Sequence, residues 1–151
     1  MLPVMESDGT VLEHLSQYEC LRLMGSVPVG RIVYTRQALP GVELVNFTLD
    51  YDEIVIRTDG GGKLAAATRG AVVAFEADSL DPVSRSGWSV TVVGNSRAVT
   101  DIEEIRHLEQ VTPMPWAPGT HDHFIRVSAV FVTGRRIESE TVSGDHDARH
   151  T

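Results

Sequence analysis

The chain of 151 residues holds one cysteine, Cys20. A single thiol excludes an intrachain disulfide and any cysteine-based zinc site. Positive charge is also scarce: 13 Lys and Arg stand against 21 Asp and Glu, a formal net charge of −8. That balance opposes binding to a nucleic-acid backbone or an anionic membrane surface, since either would need a locally basic face that the sequence does not supply. No apolar run approaches the ~20 residues that span a bilayer. The start, MLPVMESDGT, lacks the basic stretch and apolar core of a secretion signal, so the cytoplasm is the expected compartment. A metal site is not expected either. His121 and His123 offer too few ligands in a proline- and glycine-containing loop, and His146 and His150 lie in a polar tail.

What is present suffices for one globular domain: 42% of the residues are hydrophobic and 23% charged, enough for a sizeable core on a soluble surface. Ser16 followed by Glu19 is a reciprocal capping pattern, with Gly25 as a stop, and predicts a helix near 17–24. Cys20, Leu21, Leu23 and Met24 give it an apolar face, which makes Cys20 a core residue. VGRIVYT (29–35), a turn at QALPG, VELVNFTL (42–49) and EIVIRT (53–58) predict a three-stranded meander. AVVAFEA (71–77) and WSVTVVGNSRAV (88–99) follow as strands around the loop DSLDPVSRSG, with Gly94 marking a bulge or bend. Thr100 and Glu103 repeat the capping pattern ahead of a helix near 101–109. The proline-rich TPMPWAPGTHDH then leads into a last strand region, HFIRVSAVFVTGRRI. Strands with short connections and two or three short helices imply a mostly antiparallel barrel with helices at its ends. Domain limits fall at 15–137, with an extension at 1–14 and a polar tail at 138–151 read as disordered.

One stretch asks for an explanation beyond folding. In IVIRTDGGGKLAAATRG (54–70) a strand runs into three glycines, then Lys63, then an alanine-rich helical segment stopped by Gly70. Unpaired amides of a first helical turn, small residues that let a ligand approach, and one lysine together make an anion site suited to phosphate. Leu64 after the lysine excludes the nucleotide-triphosphate loop, which needs Ser or Thr there. The same residues also fit a plain strand-to-helix turn with an exposed lysine.

In order, VPVGRIVYT, VNFTL, IVIRTDGGGKLAAATRG, AVVAFEAD, DPVSRSGWSVTVVGNSRAV and PWAP resemble the pyridoxamine 5′-phosphate oxidase-like flavoprotein family, in particular its small actinobacterial-type members. The resemblance covers about Leu15 to Ile137, and RSGWSV and the later Pro-Trp carry it most specifically. It implies a mainly β fold with short helices, a six-stranded antiparallel split β-barrel, and a homodimer with FMN in each of two interface clefts. Lys63 and Thr58 match phosphate-binding positions, with Arg57 beside them. Asn46 and Phe47 lie on the strand lining the flavin ring, Ser89 matches a polar position that hydrogen-bonds the flavin, and Trp88 packs nearby. Trp116 approaches from the partner subunit. Gly62 departs from the pattern, since many relatives have serine there. Leu44 stands where a proline is common, and the arginine-leucine-proline signature that reads pyridoxal phosphate in the true oxidases is missing.

Without the resemblance, Asn46, Phe47 and Trp88 read as ordinary strand residues. Arg135 and Arg136 are a minor candidate for reading a substrate. No catalytic triad or carboxylate pair is present, as suits chemistry carried by a flavin, and no general acid is assigned. The functions implied are an FMN-dependent oxidoreductase acting on a small organic molecule, a reductase using a deazaflavin coenzyme instead, or a non-catalytic flavin- or haem-binding protein. The scarcity of basic residues favours FMN over the polyanionic deazaflavin.

Overall fold

The computed structural model describes residues 4–5, 10–59, 64 and 68–139. Its elements are β1 (Val4–Met5), β2 (Thr10–His14), α1 (Gln17–Met24), β3 (Val29–Arg36), β4 (Leu39–Asn46), β5 (Thr48–Asp50), β6 (Glu53–Thr58), β7 (Val72–Asp81), β8 (Ser86–Ala98), α2 (Ile102–Val111), β9 (His123–Val127) and β10 (Phe131–Ser139). Ser16 caps α1, its hydroxyl accepting the Glu19 N–H at 3.2 Å. The apolar face of α1 buries Cys20, Leu21, Leu23 and Met24. Cys20 lies against Gly134 of β10, where an added Cβ would come within 2.6 Å of the sulfur. Burial, then the charge of Glu19, pushes its thiol pKa up, as befits a core residue.

The strands form one curled antiparallel sheet in the order β1-β2-β10-β8-β7-β3-β4, and β5-β6-β9 joins it through the far end of β8. This is a split barrel, with ten strands among the described residues rather than six. The count rises because two long runs break and because β1 and β2 form ahead of Leu15. VELVNFTL does not run through a meander: β4 pairs β3, β5 pairs β6, and the chain changes sheet at Phe47. There the Phe47 N–H bonds the Pro28 carbonyl at 3.2 Å, and its buried ring packs edge-on against Phe75 at 4.7 Å. HFIRVSAVFVTGRRI likewise divides, because Ser128 bonds back to Asn95 and sends β9 to β6 while β10 pairs the first part of β8. Gly94 is no bulge, since it pairs Val73 in regular register. The glycine is needed because the Ser128 carbonyl crosses where a Cβ would stand.

Three local boundaries also shift. The β3–β4 turn is Gln37–Ala38, both at positive φ, so Leu39, Pro40 and Gly41 belong to the strand. The β7–β8 connection shrinks to 82–85 because the Asp81 carboxylate takes the N–H of Val83 at 2.9 Å and closes the turn. Asp101, not Thr100, caps α2, accepting the Glu104 N–H at 3.0 Å. At the ends, β2 lies before Leu15 yet pairs β10 from Arg135 to Ser139, so the sheet extends beyond both limits drawn from sequence.

Alternation sorts the large sheet. Ile32, Phe75, Ala77, Val90 and Val92 are buried with Met24 and Phe47 in the main core. The opposite face carries, in register, an apolar row of Val42, Val33, Ala74, Val93 and Phe131, with Val42 and Phe131 exposed. A second, smaller core of Val55, Val99, Leu108 and Phe124 fixes α2 over β6 and β9. Among the described residues no helix is long and apolar enough to cross a membrane.

Candidate functional site

The break at Phe47 leaves a cleft at the junction of the two sheet parts. Asn46 and Phe47 form one wall, Arg57 of β6 the floor, and Pro28 with the Thr112–Trp116 stretch the rest, around a volume of about 90 Å³. Four of the sequence-derived candidates, Asn46, Phe47, Arg57 and Trp116, thus meet in one place although they are far apart in the chain. The Asn46 side chain bonds protein at both ends: Oδ1 accepts the Trp116 N–H at 2.9 Å, and Nδ2 donates to the Pro28 carbonyl at 3.4 Å. Arg57 lies over the Phe124 ring at 5.3 Å and donates from Nε to the His121 carbonyl at 2.6 Å. Among the described residues its two Nη groups meet no acceptor. The Trp116 indole is 74% exposed beside them.

Thr58 follows Arg57 at the end of β6, opposite His123, and the chain runs on toward Gly62 and Lys63, which lie outside the described residues. Beyond that segment Thr68 donates its hydroxyl to the Leu64 carbonyl at 2.7 Å, and Gly70 takes φ +65°, as a helix stop requires.

Trp88 and Ser89 are not in the cleft. They are neighbours on β8 and face opposite sides: Trp88 packs on the main core, while Ser89 lies in a surface groove with His14, Thr91, Thr133 and Arg135. Between Asn46 and Ser89 the strand order counts three spacings, β4 to β3 to β7 to β8, on the order of 14 Å. Arg135 lines that groove, whereas Arg136 faces Glu13 at 3.4 Å. His121 bonds Ala117 and His123 bonds Asp122, and no group of three metal-ligating side chains occurs among the described residues. His146 and His150 lie outside them.

Two charged clusters escaped the sequence reading. Arg126, 6% exposed, donates to Glu104 at 2.8 Å, to the Asp50 carboxylate at 2.6 Å and to Glu53 at 3.3 Å. Burial alone would raise the Asp50 pKa, but hydrogen bonds from Arg126 and His107 outweigh it and hold it below the usual value. Glu104 is held low chiefly by Arg97, with Arg126 adding to the effect. On the outer face Arg31 bridges Glu76 at 3.2 Å and Asp78 at 3.5 Å. Partial burial and then the neighbouring Asp78 push the Glu76 pKa up to about 7. Nothing in local spacing marks either cluster. Arg126 looks like any strand arginine, and Glu76 and Asp78 merely alternate along β7.

The fold defines a split-barrel protein, and comparison with known proteins narrows the class. Residues 16–136 match the family model of pyridoxamine 5′-phosphate oxidase, and the chain belongs to that family. It is similar to the uncharacterized protein Rv0080 of Mycobacterium tuberculosis, 37% identical over 132 residues that cover 84% of this chain and 86% of that protein. Among solved structures it resembles the FAD binding protein from Mycobacterium smegmatis, at 34% identity and a TM-score of 0.66 over 83% of this chain and 97% of the other. A Corynebacterium glutamicum structure superposes with a TM-score of 0.75 at 30% identity, over 85% and 94% of the two chains.

Proposed function

We propose that the chain is a flavoprotein that binds the isoalloxazine, ribityl and phosphate portion common to FMN and FAD, and that it works as an oxidoreductase on a small organic substrate. The convergence of Asn46, Phe47, Arg57 and Trp116 on one cleft carries this reading, because the cleft pairs aromatic surface with an arginine whose Nη groups meet no acceptor among the described residues. The similar M. smegmatis protein, described as FAD binding, supports a flavin and makes FAD a candidate beside FMN. When bound, the flavin supplies hydride transfer. Arg57 would take the phosphate by charge-assisted hydrogen bonds, and Lys63 and Thr58 would complete that end. The aromatic rings of Phe47 and Trp116 would exclude water from the flat end.

A volume of about 90 Å³ is smaller than the ~300 Å³ at which ligand pockets begin, so one chain does not enclose the ligand. A homodimer answers this. The outer sheet face offers a second copy an apolar row flanked by charges of both signs, Arg31 and Arg135 against Glu76 and Asp78, a self-complementary pattern on an otherwise acidic protein. A second chain laid there would bring its outward-facing Ser89, or its Trp116, toward the cofactor, while Trp88 stays on the core side of its own sheet. The deciding experiment is the visible absorption spectrum of the purified protein, with FMN and FAD titrations read by flavin fluorescence. A bound flavin is expected. A deazaflavin or haem spectrum would replace the cofactor assignment, and a colourless protein that binds neither flavin would overturn the reading.

A further inference from the structure

The loop that carries Trp116 is fastened to the barrel at two places and braced within itself. Asn46 holds the Trp116 N–H at 2.9 Å, and Arg57 holds the His121 carbonyl at 2.6 Å. Inside the loop the His121 ring reaches the Ala117 carbonyl at 2.8 Å. A carbonyl can only accept, so Nε2 carries the proton and Nδ1 is left as the second ring nitrogen, buried without a partner among the described residues. Pro113, Pro115 and Pro118 fix three φ angles over the same stretch. Two fastenings therefore set the position of a segment that is already stiff. The indole, by contrast, is mostly exposed and makes little packing of its own, so its placement over the cleft comes from the backbone beneath it.

We propose that Asn46 is a positioning residue, acting on the bound ligand through Trp116 rather than by contact, and that Arg57 joins the same loop to the anionic end of the ligand. This rests on the flavin-site reading given above. Both polar ends of Asn46 bond protein, one the loop and one Pro28, and the pair of bonds holds the amide on the loop. Arg57 presents one rigid planar group with Nε on the loop and Nη on the open side. A ligand that draws on the Nη groups thereby sets the guanidinium plane on which the loop rests.

The test is a double-mutant cycle on flavin affinity with Asn46→Ala, Trp116→Ala and both together. Each single change is expected to weaken binding roughly tenfold, and the double to be within about twofold of Trp116→Ala alone, because Asn46 has nothing left to position. Losses that multiply in the double variant would place Asn46 in direct contact with the ligand and overturn the proposal. A second readout needs no ligand. In a Trp88→Phe background Trp116 is the sole tryptophan, and its time-resolved anisotropy should gain a fast component in Asn46→Ala. Asn46→Asp retains the accepting oxygen and should lose that component again. Unchanged anisotropy in Asn46→Ala overturns the fastening whatever the flavin does. A wild-type chain that binds no flavin overturns the cofactor reading, and the ligand half of this proposal with it, while the anisotropy still decides the fastening.

Discussion

Arg126 and Arg57 occupy one face of the β6–β9 ladder, at opposite ends of the small core that Val55, Phe124 and Leu108 build between them. Their surroundings could hardly differ more. Arg126 spends its donors inside the protein, on Asp50, Glu53 and Glu104, and so locks the β5–β6 hairpin and α2 to β9. Arg57 gives the protein Nε and a ring face, and turns its remaining donors to a cleft. A buried cation with all three nitrogens bonded to protein is part of the scaffold. One left half-satisfied beside an opening is a candidate for a ligand.

The strongest way to break this contrast is Arg126→Met. Removing the cation leaves Asp50 and Glu104 facing each other with little solvent, so a loss of about 3–5 kcal/mol in unfolding free energy is expected from urea denaturation. A loss under ~1 kcal/mol would show that the cluster is no better than a surface ion pair. Next in size, Lys63→Ala should weaken flavin binding by about 1–3 kcal/mol without unfolding the chain, as expected for a charged contact to phosphate. An unfolded variant would return Lys63 to a turn with a structural lysine. Trp116→Ala should cost about 0.5–1.5 kcal/mol of flavin affinity, the contribution of one aromatic contact. Calorimetry that finds no change would take the indole out of the site.

The smallest effects concern pH, and the two charged clusters predict opposite signs. Asp50 and Glu104 have depressed values in the folded chain, so their stabilisation is complete above the ordinary 3.8 and 4.5 and is lost as the pH falls below them. Glu76 is raised, so the folded chain holds a proton that the unfolded chain has released, and stability falls as the pH rises from the ordinary 4.5 through about 7. Glu76→Gln should flatten that second slope in thermal melts and leave the acid limb unchanged. A slope that persists in the variant would assign it to another group.

Most of the secondary structure was legible in the sequence because it rests on local rules. Ser16 with Glu19 announces α1, and the β-branched runs announce the strands. The failures occur where a distant partner decides. Phe47 ends a strand because Phe75 and Pro28 hold it, Gly94 is a glycine because Ser128 passes beside it, and β2 forms because β10 offers an edge. The cap of α2 missed by one residue because Thr100 and Asp101 both precede a glutamate three positions on, and only the fold selects between them. For the site, family resemblance led to Asn46, Phe47, Arg57 and Trp116, which the fold brings together. The same resemblance led to Trp88 and Ser89, which lie apart from that cleft in one chain. The role of Arg126 could not be read at all, since burial and three acidic partners are properties of the folded chain.

The division of labour between the two arginines is tested most directly by flavin titration of Arg57→Ala beside the wild type, with the unfolding midpoint of each measured in the same preparation. The account predicts that affinity drops at least tenfold in Arg57→Ala while the midpoint stays within a few degrees, because among the described residues the bond to the His121 carbonyl is the one side-chain hydrogen bond lost. Equal affinities, or a collapse of the fold with no separable effect on binding, would contradict it.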